Sequence, residues 1–260
     1  MNLGLQEKHA LVTGAGRGLG QGICLELAAN GAKVLAVSRT SSDLVALLDK
    51  MGGKRLGHQV LVADLSKKAG LKKLNNFINK SFVSPDIIVN NLGGNLGFTD
   101  PLGSVGQWRE VMNLNVEVAI ELNRTYIPQM RRSKWGRICH VSSISALENQ
   151  GPPAYCAAKA ALNAYVRSLG RYVCSDNVIL TSIMPGAVFT PGGYWDKAKK
   201  KRPDHVKKYL RERMAIRRFG KIEEISGVVA FLCSDQASFC VGSCFLADGG
   251  QGRVFLPYES

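Results

Sequence analysis

Tyr155 and Lys159 stand four residues apart in Tyr-Cys-Ala-Ala-Lys, which opens an alanine-rich stretch of helical character. On a helix that spacing puts both side chains on one face. An ammonium beside a phenol favours the phenolate, so the lysine is expected to pull the tyrosine below its ordinary pKa of about 10. A tyrosine tuned in that way can pass a proton near neutral pH. Ser142 lies thirteen residues before Tyr155, at the end of an apolar run, where its hydroxyl can meet a substrate oxygen. A Tyr/Lys pair alone is usually surface decoration, so its meaning depends on the elements that carry it.

A second constellation sits near the N-terminus. Thr13-Gly14-Ala15-Gly16-Arg17-Gly18-Leu19-Gly20 follows an apolar run and precedes an amphipathic helix. Its spacing is Gly-x-x-x-Gly-x-Gly, and the Lys-Ser/Thr of a P-loop is missing. Glycines allow a tight turn and a close approach to a pyrophosphate, and the following helix start offers free N–H groups. Arg39 comes nineteen residues past Gly20, in Ser38-Arg39-Thr40, where an acid would bind the ribose hydroxyls; no acid occurs before Asp43. Arg39 and Arg17 are read as a clamp for a 2′-phosphate, which points to NADP(H). The plain alternative is two solvated arginines. Asp64-Leu65 and Asn90-Asn91-Leu92-Gly93-Gly94 end two further runs, and leave a carboxylate and small residues beside the same ligand.

The elements that position these residues alternate along the chain. Strands are expected over 9–13, 33–37, 58–63, 86–90, 137–142, 178–184 and 243–247. Helices are expected over 19–30, 44–50, 67–80, 105–132, 154–174 and 223–234. The strands are mostly continuous apolar runs, as in sheets covered on both faces. The pattern predicts an α/β fold: a single doubly wound Rossmann-type domain over 1–260, with a seven-stranded parallel sheet. One segment breaks the alternation, a basic stretch after the sixth strand, read as a helical substrate lid over about 187–218.

Composition bounds the rest. The chain has 260 residues, 45% hydrophobic and 21% charged, enough for a sizeable core. Its net charge of +14 suggests an acidic partner. That charge is local: residues 191–221 hold twelve basic and three acidic side chains, nine of the fourteen net charges. Apolar runs such as 228–233 fall far short of the roughly 18 residues of a membrane span. No signal-peptide pattern precedes the first strand, and seven scattered cysteines read as reduced thiols, so a cytoplasmic location is expected. The four histidines are dispersed, and no metal site is expected.

Taken together, the chain resembles the short-chain dehydrogenase/reductase family from Lys8 to about Gly250. The carrying motifs are TGAGRGLG at 13–20, DL at 64–65, NNLGG at 90–94, Asn115 in MNLNVEV, Ser142, YCAAK at 155–159 and PGAVFT at 185–190, with the ending FLCSDQASFCVGSCFLADGG. Leu92 and Ala146 depart from the family's usual Ala and Gly. The resemblance implies that Tyr155 is the general acid in carbonyl reduction, and that Lys159 lowers its pKa and binds the nicotinamide ribose. It implies that Ser142 polarises the carbonyl and Asn115 holds a water in a proton relay. Gly14, Gly18 and Gly20 would form the pyrophosphate turn, with Arg17, Leu19, Ser38, Arg39, Asp64, Leu65, Asn91, Gly93, Pro185, Gly186, Val188 and Thr190 completing the cofactor site.

Within the family the pattern looks like the 3-oxoacyl-[acyl-carrier-protein] reductase type. This implies an NADPH-dependent carbonyl reductase acting on a 3-oxo group, on an acyl thioester or, alternatively, on a sugar, a nucleotide-linked sugar or another small ketone. The basic lid fits an acidic substrate or carrier, with Arg131, Arg132, Lys134 and Arg171 as further docking residues; a solvated lid face is the plain alternative. A homotetramer, packed through the helices around 105–132 and 154–174, is implied by resemblance. Nucleic-acid or membrane-surface binding through 197–218 is the competing non-enzyme reading. Against it, only Tyr194, Trp195 and Tyr209 interleave the basic residues and no nucleic-acid motif is present, so neither partner is expected.

Overall fold

The apolar runs become parallel strands with a core on each face. The computed structural model describes residues 2–148 and 150–253, so the ends of the 1–260 domain and residue 149 lie outside the described residues. The strands are β1 (His9–Thr13), β2 (Lys33–Ser38), β3 (Gln59–Val62), β4 (Ile87–Asn90), β5 (Gly136–Val141), β6 (Val178–Pro185) and β7 (Cys244–Ala247). They form one sheet in the order β3-β2-β1-β4-β5-β6-β7, and every neighbouring pair is parallel.

Alternation along each strand explains the two cores. Ala10, Val12, Val34, Ala36, Ile87 and Val89 face one side, with Ile23 and Leu27 of α1 (Gly18–Ala29) and Leu44 and Leu47 of α2 (Ser41–Lys50). Ile225 and Val229 of α9 (Ile222–Leu232) complete that layer. Leu11, Leu35, Val37, Ile88, Ile138 and Leu180 face the other side. There they meet Leu74 of α3 (Lys68–Ser81), Leu122 of α5 (Val118–Arg132) and Val166 of α6 (Pro153–Val173). Each fully buried aliphatic side chain contributes roughly 2 kcal/mol of transfer free energy. The strand order reverses between β1 and β4, and ligands bind outside the carboxyl ends at such a switch point.

The helix expected over 105–132 is present without a break, α4 (Val105–Met112) running into α5 through a π turn at Asn113–Glu117. The segment expected as a lid over about 187–218 holds two helices, α7 (Tyr194–Lys201) and α8 (Pro203–Arg213). Pro203 has no amide hydrogen to continue α7 and instead opens α8 at its first position.

Candidate active site

A cleft of about 510 Å³ runs along the carboxyl ends of β1 to β6. Gly14 and Gly18 adopt φ of +63° and +58°, conformations that favour glycine. A Cβ on Gly20 would lie 2.3 Å from the Gly14 carbonyl oxygen, so the turn is closed to any side chain. Arg17, at the N-cap of α1, makes no side-chain cap, which leaves the first helical amides for an anion. This cradle fits the pyrophosphate of a dinucleotide.

All the residues assigned from sequence to the cofactor line the cleft. Arg17, Gly18, Leu19 and Gly20 follow Gly14 along its first turn, and Ser38 and Arg39 stand at its far end. Asp64 and Leu65, then Asn91 and Gly93, form the edge beyond β3 and β4. Tyr155 and Lys159 close the inner end beside Pro185, Gly186, Val188 and Thr190. Some of these act as braces. Asn91 Nδ2 donates to the Thr13 and Gly14 carbonyls at 3.0 and 3.1 Å, which fastens the glycine turn to β4. Asp64 accepts from the Ser66 hydroxyl at 2.7 Å, and that bond leads the causes holding its carboxyl below the ordinary range.

Ser142 and its neighbour Ser143 are placed differently. Ser142 is 4% exposed, and its hydroxyl donates to the Lys159 main-chain carbonyl at 3.3 Å. β5 ends at Val141, one residue earlier than expected, and Ser142 and Ser143 follow it in turn. Ser143 lines both the cleft and a second cavity, as Tyr155 does, whereas Ser142 lines the cleft alone. Burial raises the Tyr155 pKa, and a hydrogen bond with the Ser143 side chain acts against that rise.

Lys159 Nζ donates to the Val141 carbonyl at 2.8 Å and lies 5.6 Å from the Tyr155 ring centroid. Burial pushes Lys159 itself down to about 8, so its own charge is disfavoured. Asn115 lies behind the cleft wall. Its Nδ2 donates to the Gly94 and Val111 carbonyls, both at 2.8 Å, and its Oδ1 accepts the Gly94 amide at 3.0 Å. A Cβ on Gly93 would meet Asn115 Oδ1 at 2.7 Å and Lys159 Nζ at 2.9 Å, so the two groups converge beneath that glycine.

The second cavity, about 1010 Å³, lies over Ser143 and Tyr155 and under the lid. Trp195 lines both cavities and packs on Tyr209 and Phe219, with ring centroids 4.3 and 4.7 Å apart. The lid aromatics thus pack on one another, and Lys208 and Arg213 are the lid cations that line the cavity. Arg131 and Lys134, expected to dock a carrier, both pair with Asp176. Ser143, Trp195 and Asp43, which lines the Arg39 end, were not assigned from sequence. The Ser-Ser doublet was the only signal for the first.

A nucleotide cleft that ends on a half-buried phenol and a buried amine defines the class of dinucleotide-dependent oxidoreductases. Residues 14–251 match the family model described as enoyl-(acyl carrier protein) reductase. The 3-oxoacyl-[acyl-carrier-protein] reductase of Pseudomonas aeruginosa is 31% identical over 249 residues, covering 95% of this chain and 98% of that protein. L-sorbose reductase of Gluconobacter frateurii, solved with NADPH and L-sorbose, superposes with a TM-score of 0.89 at 29% identity, covering 99% and 100% of the two chains. A 3-oxoacyl (acyl-carrier-protein) reductase of Agrobacterium tumefaciens with NADP bound gives 0.87 at 28% identity, covering 96% of each. The chain belongs to the short-chain dehydrogenase/reductase family of oxidoreductases. Among the described residues no helix is long and apolar enough to cross a membrane, and no cluster of three His, Cys, Asp or Glu is placed to hold a metal ion.

Proposed function

We propose that the protein is an NADPH-dependent reductase that converts a ketone carbonyl into a secondary alcohol. The observation that carries this reading is the meeting of Ser143 and Tyr155 at the junction of the two cavities, with Lys159 beneath them. The bound cofactor would supply the hydride. Ser143 donates a hydrogen bond to the carbonyl oxygen as negative charge builds there. Tyr155, kept protonated by burial, gives that oxygen its proton. Lys159 favours the resulting phenolate, and Asn115 beside Gly93 lies on the route by which the proton is replaced.

The 3-oxoacyl thioester reading is supported by the sequence relatives. A second reading, a sugar or another small hydroxylated ketone, is supported by the cavity lining. Asn95, Ser145, Gln150 and Tyr209 bring hydrogen-bonding groups there, and Trp195 offers an aromatic face. The cytoplasmic location and the homotetramer belong to the same proposal; Phe239, 98% exposed, is an apolar side chain that a subunit contact would cover. The test is NADPH oxidation with 3-oxoacyl thioesters, keto sugars, nucleotide-linked keto sugars and simple ketones. Turnover of one class supports the reading, and failure of every class overturns it.

A further inference from the structure

Gln251 follows the last strand, is 4% exposed, and has its amide committed on both sides. Its Oε1 accepts the Ala187 backbone N–H at 2.7 Å. Its Nε2 donates to the Tyr209 hydroxyl at 2.7 Å and to Gln150 Oε1 at 2.5 Å. A backbone N–H only donates, so the Gln251 oxygen must face Ala187 and its NH₂ must face the other two. The orientation propagates. Tyr209 accepts through its oxygen, which leaves its phenolic hydrogen free to donate. Gln150 turns its oxygen to Gln251, so its own NH₂ points elsewhere.

The three partners come from the three elements around the second cavity. Ala187 belongs to the loop after β6, Tyr209 to lid helix α8, and Gln150 to the segment between Ser143 and Tyr155; all of them line that cavity. Gly186 makes room for the contact, since a Cβ there would lie 2.8 Å from Gln251 Oε1. Arg253 continues the strap: its N–H donates to the Glu148 carboxylate at 2.5 Å and its guanidinium to the Glu212 carbonyl at 3.1 Å.

We infer that Gln251 is a positioning residue that latches α8 over the cavity and turns the cavity rim into hydrogen-bond donors, selecting ketones that carry acceptor oxygens beyond the reacting carbonyl. The selection half rests on the reductase reading; the latch half does not.

The test uses Gln251→Leu and the near-isosteric Gln251→Glu, whose carboxylate keeps the shape and loses both donations. Native-state trypsin digestion without cofactor reads the latch. Gln251→Leu is expected to be cut first within 197–213, about tenfold faster than wild type, the size of one net hydrogen bond, whereas in Gln251→Glu the Tyr209 hydroxyl turns to donate to the carboxylate and the lid stays latched. Unchanged lid cleavage in Gln251→Leu overturns the latch whatever the protein reduces. In NADPH turnover, KM for a polyhydroxylated ketone is expected to rise about tenfold in both variants. KM for an unsubstituted ketone should stay within about twofold, a split that general loosening of the fold would not produce. An equal rise for both ketones, or a Gln251→Glu variant that matches wild type, overturns the selection. If wild type reduces neither ketone, the reductase reading fails, and the digestion still decides the latch.

Discussion

The Ser142 hydroxyl donates to the Lys159 main-chain carbonyl at 3.3 Å, and so ties the end of β5 to helix α6. The neighbouring Ser143 is the serine at the cavity junction. Ser143→Ala is therefore expected to lower kcat/KM for carbonyl reduction by roughly 100-fold, the usual size of a lost transition-state donor. Ser142→Ala should act on stability, with kcat/KM within a few-fold of wild type. Steady-state kinetics of the two variants side by side decide it, and the reverse order would return the role to Ser142.

The cofactor preference turns on Arg17 and Arg39 at the open end of the cleft, where Asp43 also lines the wall. Charge-assisted hydrogen bonds are worth about 1.5–3 kcal/mol each. Replacing both arginines by Ala should weaken NADPH binding by at least ~10-fold and leave Asp43 facing the ribose, with NADH binding little changed. Titrating each dinucleotide against wild type and the double variant checks this. A wild-type preference for NADH would contradict it.

His140 gives the fold an acid sensitivity. Burial drops its pKa to about 4. Asn123 Nδ2 lies 3.0 Å from its Nε2, and its Nδ1 lies 3.2 Å from the Thr181 carbonyl. With its folded pKa depressed, the unfolded chain binds the extra proton between about pH 6.5 and 4, so stability falls as pH drops through that window. The loss from pH 7 to pH 5 comes to about 2 kcal/mol from this residue. Urea midpoints at the two pH values should show a smaller gap in His140→Gln. An identical gap would remove His140 as the source.

The sheet was legible because its strands are apolar on both faces, as Leu11 between Ala10 and Val12 illustrates. The glycine turn and the Tyr155/Lys159 pair were legible because their chemistry depends on local spacing. What escaped the sequence depended on three-dimensional neighbours. The π turn arises where the Asn115 side chain takes the Val111 carbonyl, a bond that no periodicity announces. The proposal of Ser143 beside Ser142 hinges on one residue at the end of β5, finer than a pattern of apolar residues resolves. How far burial shifts the Tyr155 phenol and the Lys159 amine is likewise invisible in a spacing rule.

The central claim is that Tyr155 donates the proton. Burial holds its phenol above the ordinary range, so it stays protonated through neutral pH, and reduction is expected to be level there and to decline only under alkaline conditions. The most direct measurement is NADPH binding and single-turnover NADPH oxidation in Tyr155→Phe, with the ketone that wild type reduces best. The account predicts unchanged NADPH affinity and a rate lowered by at least ~1000-fold. A Tyr155→Phe protein that binds NADPH normally and oxidises it at the wild-type rate would contradict it.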